Sequence, residues 1–168
     1  MKPELVIAVG IPASGKSTLR KTRYWDYLII SPDDIRKNVF GVEYDAEIEK
    51  DVWEIVFNLL RSNTMKKGNI FFDATSISKW TRKKIIKAVD RRKYNIVAHY
   101  MPIKLSSAID RNGRRKRKVP VEVIRRMADR LEPPSKEEGF KEIRIGPSRS
   151  NAQSGGISPP DGTRCLIR

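Results

Sequence analysis

Residues 10–18 read GIPASGKST and follow a short apolar run that begins at Glu4. They fit the pattern G-x-x-x-x-G-K-[ST], and the segment from Lys16 to Tyr24 has the composition of a helix. Glycine lets such a loop curl until several backbone N–H groups point into one concavity, to which the helix adds the positive end of its dipole. The alternative is a glycine turn at a strand–helix junction. Because strand, loop and helix occur together, the stretch predicts a cradle for nucleotide phosphates, formed by Gly10, Ser14, Gly15, Lys16, Ser17 and Thr18.

Two side chains of this stretch suit the chemistry of ATP and Mg²⁺. Lys16 is expected to contact the β- and γ-phosphates, and the Ser17 hydroxyl is expected to ligate Mg²⁺. The predicted cofactors are therefore ATP and Mg²⁺.

Two later apolar runs lead into carboxylates. The run YLIIS (27–31) is followed by Asp33 and Asp34, where a helix through DIRKNVF is expected to begin, and the run NIFFDAT (69–75) contains Asp73. A helix N-cap is the structural alternative for these carboxylates, because Asp satisfies free backbone N–H groups there. In a parallel sheet, the glycine loop and all three carboxylates would share one edge.

The rest of the chain alternates predicted helices and strands. Apolar residues recur at helical spacing over 45–67, and a second helix is expected over 78–92. A fourth strand is expected over 94–101, and helices flank the basic run RNGRRKRK (111–118). A last strand is expected over 140–145.

This alternation predicts an α/β fold, in which a parallel sheet of about five strands is covered by helices on both faces. A length of 168 residues suits one domain with a core of its own. We expect that domain over residues 1–145. Residues 146–168 are rich in Ser, Gly, Pro and Asn and are predicted to be a flexible tail.

The charge is strongly positive. The chain has 35 Lys and Arg against 20 Asp and Glu, a net charge of +15. Such an excess favours a polyanionic partner, nucleic acid before a membrane surface, because phosphates that pair with protein cations release condensed counterions. The alternative is a soluble protein that happens to be basic. The net charge does not distinguish the two interpretations, so the positions of the basic residues have to.

Other features of the sequence argue against several classes of protein. One cysteine, Cys165, permits neither an intrachain disulfide nor a cysteine metal cluster. The longest apolar runs fall short of the roughly 20 residues that span a bilayer, and the N-terminus reads as a strand and not as a signal peptide. A cytoplasmic protein without a membrane partner is expected. The single histidine, His99, is expected in a strand facing the core or the cleft.

Four motifs together resemble the phage-type 5′-hydroxyl polynucleotide kinases. They are GIPASGKST (10–18), SPDDIR (31–36), DATSI (73–77) and RNGRRKRKVPVEVIRRM (111–127), and the resemblance covers roughly residues 4–145. The first motif alone indicates a P-loop phosphotransferase, the second and third also occur in small-metabolite kinases, and the fourth is typical of the polynucleotide enzymes. The resemblance implies the three-layer fold of P-loop nucleoside and polynucleotide kinases, with a basic helical lid over about 111–120.

The resemblance also implies roles on the acceptor side. Asp33 would be the general base toward the 5′-hydroxyl, since an aspartate is ionised at neutral pH, and Arg36 would contact the neighbouring phosphate of the acceptor. Asp73 and Thr75 would support the acceptor or the water shell of Mg²⁺. That shell would be held by Asp33 or Asp73 beside the Ser17 ligand.

In the lid, Arg111 and Arg115 would contact the ATP phosphates. Arg115 would stabilise the transition state, which makes Asp33, Lys16 and Arg115 the catalytic residues. The other basic residues of the lid would serve affinity. A solvated basic loop, a nuclear-import signal or a nonspecific RNA patch are the alternatives. The basic face of the helix over 78–92, with Lys79, Arg82, Lys83, Lys87 and Arg91, could follow a nucleic-acid backbone or face solvent.

The leading hypothesis is an ATP- and Mg²⁺-dependent kinase for the 5′-hydroxyl of single-stranded DNA or RNA, acting in end repair in the cytoplasm, or in a host cytoplasm if phage-encoded. A kinase of a small metabolite, nucleoside or antibiotic hydroxyl is the second hypothesis, and a non-catalytic, nucleotide-gated nucleic-acid-binding protein is the third. The choice of DNA or RNA and the oligomeric state stay open, with a homo-oligomer as one option. The 3′-phosphatase signature D-x-D-x-T of the best-known phage members is not matched by SPPDGTR (158–164), so no phosphatase activity is predicted.

Overall fold

The computed structural model describes residues 2–66 and 68–146, and its centre is one parallel sheet. The strands of that sheet are β1 (Glu4–Val9), β2 (Leu28–Ile30), β3 (Ile70–Phe72), β4 (Asn95–Tyr100) and β5 (Glu142–Ile145). Their order is β2-β3-β1-β4-β5, and every neighbouring pair is parallel. The predicted five-stranded parallel sheet is confirmed.

Helices connect the strands. They are α1 (Lys16–Arg23), α2 (Pro32–Ile35), α3 (Glu49–Lys66), α4 (Lys79–Lys87), α5 (Leu105–Gly113) and α6 (Val121–Asp129). The helix expected through DIRKNVF is divided, because α2 passes into a π-helical turn (Arg36–Phe40) that ends at Gly41 with φ of 70°. The helix expected over 78–92 ends at Lys87, and a 3₁₀ turn (Lys136–Glu138) precedes β5.

The core has a layer on each face of the sheet, because successive strand residues point to opposite sides. Leu5, Ile7 and Val9 of β1 pack with buried residues of α3 and α4, whereas Val6 and Ala8 pack on the other face with Leu19 of α1. The prediction of helices on both faces is therefore confirmed. His99 lies on β4 and is buried, as expected: Nε2–H donates to the carbonyl of Gly146, and Nδ1 accepts from the Tyr24 hydroxyl.

A third apolar cluster joins α5 and α6 to the glycine loop. Ile11 of that loop is buried against Ala108 of α5 and Ile124 of α6. Between the two helices, Asn112 donates Nδ2 to the Val119 carbonyl (2.8 Å) and accepts at Oδ1 from the Val119 N–H (3.0 Å). These contacts fix both ends of the basic loop relative to the loop that follows β1.

Residues 147–168 fall outside the described residues, and with them Cys165, the SPPDGTR segment and nearly all of the predicted flexible tail. Gly146 itself is held at the sheet, where its N–H donates to the Tyr100 carbonyl at 2.7 Å. Of the helices in the described part of the chain, none has the length and apolar character that crossing a membrane requires.

Candidate active site

A cavity of about 820 Å³ lies beyond the carboxyl ends of β1, β2 and β3. Its wall brings together most of the predicted site residues: Gly15, Lys16, Ser17, Thr18, Asp33, Asp73, Thr75, Arg111 and Arg115. Gly10 and Ser14 lie behind the wall, where they contact Lys16, and Arg36 lies beside Asp33 without lining the cavity. Three further cations, which were not among the predicted site residues, also line the cavity: Arg20, Lys116 and Arg117.

The loop after β1 needs glycine at two positions. Gly15 has φ of 107°, in the left-handed region that side chains disfavour. A Cβ on Gly10 would lie 2.7 Å from Ser14 Oγ and 3.0 Å from the Met101 carbonyl oxygen. Since α1 begins at Lys16, the backbone N–H groups of its first turn have no partners within the helix and are available to an anion.

Lys16 is buried inside this loop. Its ammonium group donates to the carbonyls of Gly10 and Ile11, both at 2.8 Å. Burial lowers the pKa of Lys16 to about 8, and repulsion from Arg115 of the basic loop also lowers it, while Asp73 and Asp33 raise it. Two cations therefore oppose each other across the cavity, an arrangement that an anion between them would stabilise.

Arg20 joins two of the carboxylates, a contact that the sequence reading missed. Its Nη1 lies 3.0 Å from Asp34 Oδ2 and 3.3 Å from Asp73 Oδ2. Burial raises the pKa of Asp73, and Arg20 and Lys16 oppose that rise. The helix that follows Asp73 is capped by the Ser78 side chain, which accepts from the Thr81 N–H, so Asp73 is not its N-cap. The sequence did contain a signal for this contact, because Arg20 lies four residues after Lys16 and therefore on the same face of the helix.

Asp33 and Arg36 form an ion pair on the other side of the cavity. Arg36 Nη1 contacts Asp33 Oδ1, while Nε and Nη2 of the same guanidinium are both directed to Glu49, with Nη2 at 2.9 Å from Oε2. Asp33 is 64% exposed, and its Oδ2 has no hydrogen bond to any described residue. The N-cap of α2 is the Ser31 side chain, not an Asp. One carboxylate oxygen of Asp33 is thus open to the cavity.

Basic residues from the end of α5 and from the loop after it form the opposite wall. Arg111, Arg115, Lys116 and Arg117 line the cavity, whereas Arg114 pairs with Asp110 on the surface. Arg117 also contacts Glu43 at 3.2 Å, although Glu43 belongs to the segment between the π-helical turn and α3. The basic loop therefore reaches across the mouth of the cavity to the side that carries Asp33.

The residues fit a Mg²⁺ ion held largely by nucleotide and water. Ser17 supplies a hydroxyl at the start of α1, and the Asp73 carboxylate lies at the same edge of the sheet. Among the described residues there is no group of three carboxylate, histidine or cysteine side chains that could hold a metal by themselves. Mg²⁺ commonly keeps several waters and takes few protein ligands beside phosphate oxygens, which suits this donor set.

Arg82 does not belong to a basic surface on α4. It is fully buried, with Nε and Nη2 at 2.7 and 2.8 Å from the two carboxylate oxygens of Glu138 and Nη1 donating to the Ser76 and Ile77 carbonyls. Arg91 lies beyond the end of α4 and donates to the Gly139 carbonyl. Lys79, Lys83 and Lys87 remain exposed. For Arg82, both alternatives from the sequence were wrong, because its partner lies 56 residues further along the chain.

Comparisons with known proteins identify the family of the chain. Residues 5–134 match the sequence model of the AAA domain family AAA_33. L-seryl-tRNA(Sec) kinase of Methanococcus maripaludis is 26% identical over 137 residues, which cover 77% of this chain and 53% of that protein. The chain thus spans about half the length of this curated relative.

Solved structures share the fold. A gluconokinase from Sinorhizobium meliloti 1021 superposes with a TM-score of 0.59 at 16% identity, covering 88% of this chain and 85% of that one. A chain of the Pnkp1/Rnl/Hen1 RNA repair complex gives a TM-score of 0.67 at 21% identity, covering 77% of this chain and 44% of that one. At these identities the similarity concerns the fold, which serves different acceptors.

Proposed function

The chain belongs to the AAA_33 family of AAA domains and has the fold of P-loop kinases, and from that premise we propose that it transfers the γ-phosphate of ATP to the 5′-hydroxyl end of a DNA or RNA strand. The observation that carries the proposal is the composition of the cavity wall. Lys16 and four basic side chains, Arg111, Arg115, Lys116 and Arg117, face the open carboxylate of Asp33 across one space.

The donor half of the reaction would use the loop after β1. Its backbone N–H groups and Lys16 would hold the β- and γ-phosphates, and Arg115 would approach from the opposite wall. Bound Mg²⁺, with Ser17 as its protein ligand, would neutralise phosphate charge. Because the loop and the helix are already formed around Lys16, little rearrangement is needed when charge develops on the transferring group.

The acceptor half would use Asp33. As the 5′-oxygen attacks the γ-phosphorus, the bond from that phosphorus to the β,γ-bridging oxygen breaks, ADP leaves, and the hydroxyl proton passes to Asp33. Oδ1 of Asp33 is engaged by Arg36, which fixes the orientation of the carboxylate and leaves Oδ2 for the hydroxyl. Arg36 is also the proposed contact of the adjacent phosphate of the strand. Its guanidinium is directed to Asp33 and Glu49 and does not line the cavity, so this contact would require it to turn away from Glu49.

The basic residues of the lid favour a polyanionic acceptor over a sugar or an antibiotic. Arg111 and Arg115 are the residues proposed for the ATP phosphates, and Lys116 and Arg117 line the cavity in addition, in a chain of net charge +15. Extra cations of this kind add affinity for a phosphate backbone. A neutral acceptor would gain little from them.

A second candidate acceptor is the seryl hydroxyl of an aminoacylated tRNA. It is favoured by one observation, the 26% identity to an L-seryl-tRNA(Sec) kinase over 137 residues. That acceptor would also present phosphates to the basic residues, so the two candidates differ in the hydroxyl that attacks.

Transfer from γ-labelled ATP in the presence of Mg²⁺ tests the proposal. The acceptors are single-stranded DNA and RNA oligonucleotides with a 5′-hydroxyl, the same oligonucleotides already 5′-phosphorylated, seryl-tRNA, and a mixture of nucleosides and sugars. Lys16→Ala serves as the control for the phosphate cradle. We expect label on the 5′-hydroxyl strands and none on the 5′-phosphorylated strands. Label on seryl-tRNA alone, or on small molecules alone, would overturn the assignment of the acceptor, and binding of DNA without any transfer would favour the non-catalytic hypothesis.

A further inference from the structure

Tyr44 is an exposed aromatic residue whose ring lies next to Arg36, the ion-pair partner of Asp33. It belongs to the segment between the π-helical turn and α3, and it is 71% exposed, more than Trp25, Val39, Trp80 or Ile145. A single exposed apolar residue is ordinary on a protein surface. What distinguishes Tyr44 is the set of residues around it.

Contacts connect Tyr44 to both sides of the reaction site. The guanidinium carbon of Arg36 lies 6.0 Å from the centre of the Tyr44 ring, and the same guanidinium contacts Asp33. The ring is therefore separated from the proposed general base by one side chain. The preceding residue, Glu43, pairs with Arg117 of the basic loop at 3.2 Å, so the segment that carries Tyr44 also contacts that loop.

This position suits the base of the nucleotide that carries the attacking hydroxyl. Only the Arg36 side chain separates Asp33 from the ring, so the base of a nucleotide whose 5′-hydroxyl reaches Asp33 would lie near Tyr44. A tyrosine ring offers a rigid apolar face, and base–aromatic stacking tolerates any base because every base has a π-face. Arg36 lies over the ring at 6.0 Å, yet Tyr44 is still 71% exposed, so part of its aromatic surface is open to a base.

We propose that Tyr44 is the stacking platform for the base of the acceptor's 5′-terminal nucleotide. The inference rests on the proposed function and narrows it, because a sugar or an abasic end offers no flat π-face to this ring. Tyr44 would thus contribute to selection of a nucleotide acceptor, while Asp33 and the phosphate cradle carry the chemistry.

The test combines variants of Tyr44 with two acceptors, one with and one without the 5′-terminal base. Steady-state kinetics are measured for the parent chain, Tyr44→Ala and Tyr44→Phe, with a 5′-hydroxyl oligonucleotide and with a matched oligonucleotide whose 5′-terminal residue is abasic. Tyr44→Ala is expected to raise KM for the normal oligonucleotide about 5- to 100-fold, with the effect on KM and not on kcat. Tyr44→Phe keeps the ring and should stay within about 2-fold of the parent. On the abasic acceptor, the parent and Tyr44→Ala should have the same KM.

Trp80→Ala is the matched control. Trp80 is exposed and contacts the Lys84 ammonium, but it lies on α4 and not beside Asp33, so its removal should leave KM unchanged. An unchanged KM in Tyr44→Ala, or a penalty that persists on the abasic acceptor, would overturn the inference while the proposed function stands. Absence of transfer to any 5′-hydroxyl strand by the parent chain would overturn both.

Discussion

Glu49 accepts from both Nε and Nη2 of Arg36, at the start of a helix that begins thirteen residues after that arginine. Glu49 thus binds the edge of the guanidinium that faces away from Asp33 and keeps Arg36 beside that carboxylate. The hydrogen bonds that Arg36 donates to Glu49 raise the pKa of Arg36 and outweigh burial, which opposes its charged form. The fixed position of Arg36 thus depends on a residue outside the SPDDIR motif (31–36).

Glu49→Ala should weaken the acceptor side of the site. Arg36 would lose two charge-assisted hydrogen bonds and swing toward Asp33 or solvent, and misplacement of a positioning group by about 1 Å can cost 10- to 100-fold in rate. We expect kcat/KM for the oligonucleotide to fall about 10-fold and KM for ATP to stay constant. Glu49→Gln keeps one acceptor oxygen and should lose less. An unchanged kcat/KM in Glu49→Ala would show that Arg36 does not need this partner.

Arg20→Ala should change the pH dependence of transfer. Arg20 lowers the pKa of Asp73 against the effect of burial, so its removal leaves two neighbouring carboxylates without their shared cation and raises that pKa further. If ionised Asp73 is required, the acidic limb of the profile of kcat/KM against pH moves to higher pH. Arg20→Lys should move it less, because a positive charge remains. A profile that superposes on that of the parent would exclude a role for the ionisation of Asp73.

ATP binding should take up protons near pH 8. Burial lowers the pKa of Lys16 to about 8 in the nucleotide-free site, whereas bound phosphate favours the charged ammonium. Above that pH the neutral fraction grows, and affinity for ATP should fall by roughly 10-fold per pH unit. Calorimetry in buffers with different ionisation enthalpies measures the proton uptake directly. Lys16→Met removes the group, so a similar uptake in that variant would assign the proton elsewhere.

Arg82→Ala should destabilise the fold. The substitution removes the ion-pair partner of Glu138 and a donor to the carbonyls of Ser76 and Ile77. Of its partners among the described residues, Glu138 then keeps only the Ser135 N–H, and the Ile77 carbonyl keeps the Glu132 N–H. Loss of one partner of a buried ion pair costs about 3–5 kcal/mol in the free energy of unfolding, which urea denaturation would measure. Lys83→Ala, the exposed neighbour on α4, should change that free energy by less than about 0.5 kcal/mol. Equal stabilities for the two variants would contradict the structural role of Arg82.

Much of this architecture could be predicted because its signals are local. The glycine loop, the strands that end before Asp33 and Asp73, and the alternation of strands and helices are all readable within short windows. Parallel strands then bring those ends to one edge, which is why residues 10–18, 33 and 73 meet at one cavity.

The features that were missed depend on long-range partners or backbone geometry. The burial of Arg82 depends on Glu138, the position of Arg36 on Glu49, and the contact across the cavity mouth on Glu43 and Arg117. No sequence signal marks the widened turn over 36–40, which follows α2 directly. The position of Arg20 in the site could have been predicted, since helical spacing places it on the same face as Lys16.

The central claim is that a 5′-hydroxyl held at Asp33 attacks a phosphate held in the cradle, and the single-turnover rate of Asp33→Asn tests it most directly. Asparagine keeps the shape of the side chain and an oxygen for Arg36, but it is a far weaker proton acceptor. With saturating ATP, Mg²⁺ and a 5′-hydroxyl oligonucleotide, the rate should fall about 10²- to 10⁴-fold while ATP affinity stays within about 3-fold. Transfer at the parent rate by a folded Asp33→Asn protein would contradict the account.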